Sequence, residues 1–143
     1  MEFAQYPRRL LAIAEVLYGW AGALLALERS RREKVAGFAE AIAATLARAS
    51  QSALRLEADP GDVVAARSLV REYGRISGYL ETIVGVLRHH LDGRKLAGVK
   101  RRLEQLGPQA RANGLAPQSA RGQSTRLLAA EGYFRALADS LRV

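Results

Sequence analysis

A chain of 143 residues with no cysteine and one methionine has the length of one ordinary domain, and disulfides, thiolate metal sites and cysteine nucleophiles are closed to it. Its 22 lysines and arginines against 14 aspartates and glutamates give a formal charge of +8, which favours polyanionic partners such as nucleic acid or an anionic membrane surface. The lack of cysteine fits a reducing, cytoplasmic setting. Arginine supplies 19 of the 22 cations beside abundant alanine, a pairing that a GC-rich genome can also produce, so the bias toward arginine says little by itself.

The first expected helix covers 8–28. Pro7 suits its opening turn, and Leu10, Ile13, Leu17, Trp20, Leu24 and Leu27 recur at three and four. Ala12, Gly19, Gly22 and Ala26 make the reverse side small, as in a helix packed on more than one side, so a central position is expected. The apolar run Leu10–Leu27 is borderline for a membrane span, and Glu15 inside it with basic residues on both flanks argues against one. No signal-peptide pattern precedes it, since Glu2 acidifies the leader region.

Ser30 and Glu33 have the spacing of a capping box ahead of a second helix over 31–57, whose seam runs Val35, Phe38, Ile42, Leu46, Ala49, Ala53 and Leu56. Helices 1 and 2 would then form a hairpin. The alternative is one helix across 8–57, because nothing in 28–34 forbids it. Asp59-Pro60-Gly61-Asp62 ends helix 2 and opens a third helix over 60–91, with Asp59 as N-cap and Pro60 at the first position. Its seam is the most regular of all: Ala66, Leu69, Tyr73, Ile76, Leu80, Ile83, Leu87 and His90.

After Asp92-Gly93 a fourth helix is expected over 94–106, with Leu96, Val99, Leu103 and Leu106 inward, stopped by Gly107-Pro108. Residues 107–124 are rich in Gly, Pro, Gln, Ala and Ser, carry an Asn113-Gly114 turn signal, and read as a loop that is either flexible or held by a partner. A last helix over 125–142 places Leu127, Ala130, Phe134, Leu137 and Leu141 at heptad spacing. No strand-type alternation occurs. The expected fold is all-α, a bundle of about five helices in one domain spanning 1–143.

No enzyme site is legible. His89 and His90 are the only histidines, and adjacent helical positions point about 100° apart, so they cannot share a metal as an H-x-x-x-H pair does. The arginine–histidine spacing of helical-bundle ribonucleases is absent, as are the phosphate-binding glycine loops of nucleotide enzymes. No cofactor, metal or small-molecule substrate is expected.

Charge segregates sharply. Residues 88–126 hold nine of the 22 cations (Arg88, Arg94, Lys95, Lys100, Arg101, Arg102, Arg111, Arg121 and Arg126) against Asp92 and Glu104, a local +7 of the total +8. Genome composition would raise arginine everywhere without parting it from acids. On helix 4 the seam leaves Arg94, Arg101 and Arg102 outward with Lys95 and Lys100 beside them, a surface suited to phosphates and blind to bases. The nucleic-acid-binding residues expected are therefore Arg88, Arg94, Lys95, Lys100, Arg101, Arg102, Arg111 and Arg121. Trp and Phe anchors for lipid are missing from helix 4, and so are aromatic platforms for stacking bases.

Gly74, Gly78 and Gly85 lie opposite the seam of helix 3, and each costs about 1 kcal/mol relative to alanine in a helix interior. With Tyr79, and with Tyr73 and Val86 nearby, they are expected to form a close-packing surface, either an assembly interface or an internal contact. No motif identifies a family. By analogy of fold alone, small basic bundles occur as accessory subunits inside prokaryotic ribonucleoprotein machines, CRISPR effector complexes among them. The function expected is a non-enzymatic basic subunit touching a nucleic-acid backbone within a larger complex. A scaffold or adaptor for protein–protein assembly is the alternative, and a membrane-associated basic protein comes third.

Overall fold

Helices account for nearly all of the computed structural model, which describes residues 5–106 and 122–142, and no strand occurs among those residues. In chain order they are α1 (Tyr6–Gly19), the single turn α2 (Ala21–Leu24), α3 (Arg29–Ala58), α4 (Val63–Leu87), α5 (Gly93–Leu106) and α6 (Gln123–Leu141), packed as a bundle. The all-α expectation holds. Their buried apolar residues form one continuous core.

The first helix is shorter than its apolar run. It stops at Gly19 because Trp20 leaves helical geometry (φ −89°, ψ 3°) and turns its N–H back to the Leu17 carbonyl. After α2 the chain turns again, and Glu28 is extended (φ −60°, ψ 154°), so a single helix over 8–57 does not form. The Glu28 carbonyl takes the N–H groups of both Arg31 and Arg32, which starts α3 at Arg29, two residues before the expected 31. Ser30 therefore sits inside the first turn, and no side chain caps this end, so the Ser30–Glu33 capping box is not made.

The expected hairpin of helices 1 and 2 is also corrected. α6 packs against both α1 and α3, the second neighbour of α1 is α5, and that of α3 is α4. α3 can accept neighbours on two sides because Ala36, Ala39, Ala43, Ala49 and Ala53 in its buried stripe let helix backbones come close. Ala12, Gly19, Gly22 and Ala26 are exposed, which makes α1 an outer rather than a central element.

Between α3 and α4 the two aspartates divide the work differently from the expectation. Asp59 closes α3 and its carboxylate accepts the Gly61 N–H at 3.1 Å, while Asp62 is the N-cap of α4, accepting the Ala65 N–H at 3.0 Å. Pro60 lies in the turn, and α4 starts at 63 rather than 60. Its seam from Ala66 to Leu87 is buried throughout. The helix ends at Leu87 rather than 91, because Arg88 leaves it with ψ 132° and His89 turns left-handed (φ 70°). His90 is thereby exposed, not part of the seam.

Near the middle of α4 the buried rings of Tyr6 and Tyr73 stack at 3.9 Å, and the Tyr6 hydroxyl donates to the Tyr73 carbonyl at 2.9 Å. α6 begins two residues before the expected Thr125. Its start is held from α3, where the Glu57 carboxylate accepts the Gly122 N–H at 3.1 Å and the Ser124 hydroxyl at 3.0 Å. Gly122 takes the left-handed conformation (φ 79°) that this helix start requires, and Gln123 and Ser124 are buried. The rest of the expected 107–124 loop lies outside the described residues.

Candidate nucleic-acid interface

Asp92 sets up the basic helix. Its carboxylate accepts the Arg94 N–H at 2.7 Å and its carbonyl the Leu96 N–H, so α5 opens under a cap and starts one residue before the expected 94. Leu96, Val99 and Leu106 are buried and Leu103 partly so, against α1 and α4. With the apolar side fixed, Arg94, Lys95, Lys100, Arg101 and Arg102 are all exposed, as is Arg88 just beyond the end of α4.

These cations are not neutralised within the described residues. The ion pairs found there are Glu28–Arg31, Arg48–Glu72, Glu131–Arg135, and Arg142 with Glu33 and Glu40, all outside 88–106. Asp92 is turned to the backbone, and Glu104 makes no ion pair among the described residues although it borders the same groove as Lys100. Arg102 reaches back to the Gly98 carbonyl at 3.3 Å, a contact that keeps its charge. The result is a run of exposed guanidinium and ammonium groups around the solvent side of α5, with donors free for phosphate oxygens. Arg111 and Arg121 lie outside the described residues.

Between α4 and α5 runs a groove of about 280 Å³ lined by Val84 and Leu103, with Glu81 and Arg88 bordering it from the α4 side and Lys100 and Glu104 from α5. Gly85 borders this groove. Gly74, Gly78 and Gly85 are all exposed, and a Cβ added at any of them would meet nothing within 4 Å, so no internal close packing accounts for them among the described residues. Tyr79 belongs elsewhere: it is partly buried against Phe38 of α3, with ring centroids 6.0 Å apart, and accepts from Arg75 at 3.2 Å. Tyr73 is fully buried, so neither tyrosine joins the glycine face.

One grouping escaped the sequence. α4 returns antiparallel to α3, so the start of α3 comes to the same end of the bundle as the end of α4 and the start of α5. His90 there shares a depression of about 350 Å³ with Glu28 and Arg31. The Arg29–Lys34 cluster and the 88–95 segment, more than fifty residues apart in sequence, thus occupy one end. A signal for this existed in the short Asp59–Asp62 turn, which forces the two long helices to run back along each other.

The strongest pKa perturbations lie in the core, away from the basic face. Burial pushes the Tyr6 hydroxyl above the usual phenol range against a smaller opposing effect of its hydrogen bond with Ser77, and burial followed by the neighbouring Tyr6 does the same to Tyr73. Among the described residues no group of three His, Asp or Glu side chains is placed to hold a metal ion, and no helix is long and apolar enough to cross a membrane. No family model matches the chain, and neither a curated protein nor a solved structure is detectably similar to it.

Proposed function

We propose that this protein is a non-enzymatic helical subunit that binds the phosphate backbone of nucleic acid, without reading bases, as part of a larger assembly. The observation that carries the reading is the α5 face, where Arg94, Lys95, Lys100, Arg101 and Arg102 are exposed and none is paired with a carboxylate among the described residues. Exposed cations gain little from isolated surface pairs, but a row of them displaces condensed counterions from a polyanion, a gain that grows with each phosphate met. The lack of aromatic residues on α5 fits backbone contact and not base stacking. The test is fluorescence anisotropy with labelled mixed-sequence DNA and RNA over a series of salt concentrations. Binding to both unrelated sequences, weakening linearly on a log–log plot with a slope steeper than about −3, is expected; a flat slope or no binding at low salt contradicts the reading.

A second reading, docking of a partner protein, is favoured by a different place. Val63 and Val64, in the first turn of α4 and at the end away from Arg88, are 60% and 71% exposed. Loss of partner capture on Val63→Ser with Val64→Ser, without loss of nucleic-acid binding, would mark the two surfaces as separate.

A further inference from the structure

At the start of α3 the acids are taken and three cations are left over. Glu28 is held by Arg31 at 2.8 Å, and Glu33 is held by Arg142, which also meets Glu40. Arg29 and Lys34 are exposed and meet no carboxylate among the described residues. Arg32 is half-buried, and its Nε–H, closed off from solvent, has no hydrogen-bond partner among the described residues. An orphaned donor of this kind is costly when nothing answers it, and native proteins seldom leave one without a reason. Arg29 and Arg32 border one cavity of about 290 Å³ whose remaining lining is Glu33, Leu141 and Arg142. Glu33 is bonded to Arg142 there, and the lining carries three guanidinium groups against that one carboxylate.

The cluster is not isolated from α5. It lies at the end of the bundle where His90 and Arg31 line one depression and where α5 begins with Arg94 and Lys95. We infer that Arg29, Arg32 and Lys34 form a second phosphate-binding site, which continues the α5 face around the end of the bundle so that one nucleic-acid strand engages both. A phosphate oxygen seated in the cavity bridges Arg29 and Arg32, and a small rotation of the Arg32 side chain brings its Nε–H into a two-point fork on the same phosphate. This site rests on the nucleic-acid reading proposed for α5 and extends its footprint to a segment separated from it in sequence.

Two measurements test it on the full chain with a mixed-sequence single-stranded 30-mer. In the first, the triple variant Arg29→Gln, Arg32→Gln, Lys34→Gln should shed roughly two units of log–log salt slope, at about 0.7 for each phosphate that is no longer neutralised. In the second, which needs no variant, the Arg32 Nε–H resonance of the wild type should move saturably with added 30-mer and stay in place when chloride is added to the same ionic strength. If the triple variant keeps the wild-type slope and the Arg32 resonance does not respond, while changes on α5 still weaken binding, the second site is wrong and the α5 reading stands. If the wild type binds no 30-mer at low salt, both fall. Should the triple variant melt early, the resonance shift decides alone, and Arg32→Lys, which keeps the charge and the stem but lacks the fork, should bind about tenfold more weakly.

Discussion

Tyr6 and Tyr73 couple the stability of this fold to alkaline pH. Both hydroxyls sit in the core with pKa values raised above the usual phenol range, chiefly by burial. Below pH about 10 both folded and unfolded chains keep these phenols neutral, and the contribution of the stacked pair is intact; above it the unfolded chain ionises while the folded chain resists, so stability is lost as pH rises. Urea unfolding followed between pH 8 and 11 should show the loss beginning near pH 10, and Tyr6→Phe should make it shallower while removing about 1 kcal/mol at neutral pH with the bond to the Tyr73 carbonyl. Leu80 and Ile83 are each 1% exposed, and truncating either to alanine should lower stability by about 2–5 kcal/mol; an unchanged melting temperature for both would refute their place in the core. These residues were legible in the sequence because a 3.6-residue period marks an inward face wherever the helix continues. His90 was misplaced on the same logic, since the period says nothing of where a helix stops. Histidine in the left-handed conformation at position 89 carries no compositional mark.

At the scale of elements, local chemistry located most helix ends and tertiary contact decided the rest. Asp62 and Asp92 cap α4 and α5 through their own side chains, and such signals sit in the sequence within a few residues of the boundary they make. The cap of α6 is of the other kind, delivered by Glu57 across 65 residues, so the local pattern pointed to Thr125 instead. Glu57→Ala should destabilise the protein by about 1–2 kcal/mol and raise amide exchange in the first turn of α6; Glu57→Gln, which retains an acceptor, should cost less. Partner choice among helices was the least legible property. The seams of α1, α3 and α6 are all apolar, and only the assembled bundle shows α6 packing against both of the others. The glycine face of α4 is now sharply testable: with open space at Gly78, Gly78→Ala should stabilise an isolated monomer by about 1 kcal/mol through higher helix propensity, read as a raised melting temperature. Gly78→Leu should convert an assembled species to a smaller one on size exclusion with light scattering if the face is an interface. An unchanged mass makes it plain solvated surface.

For the whole molecule, the segregation of charge was readable from residue counts alone, whereas its three-dimensional extent was not. The sequence places +7 of the net +8 in 88–126, and the fold then adds the Arg29–Lys34 cluster to the end where that stretch begins, a consequence of antiparallel helices that no linear count reveals. Outside 88–126 the chain carries 13 cations and 12 acids, some of them in pairs such as Arg48–Glu72 and Glu131–Arg135, so the imbalance stays concentrated. The most direct measurement is the salt dependence of binding by the variant in which Arg94, Lys95, Lys100, Arg101 and Arg102 are all changed to glutamine, compared with wild type and with a control changed at Arg67 and Arg71. All of these side chains are exposed, so circular dichroism and melting should be preserved in both variants. If α5 is the phosphate-binding face, its variant should give up about 3–4 units of log–log slope and bind neither DNA nor RNA appreciably at about 150 mM salt, with the control close to wild type. An α5 variant that folds and binds as tightly as wild type would contradict that assignment.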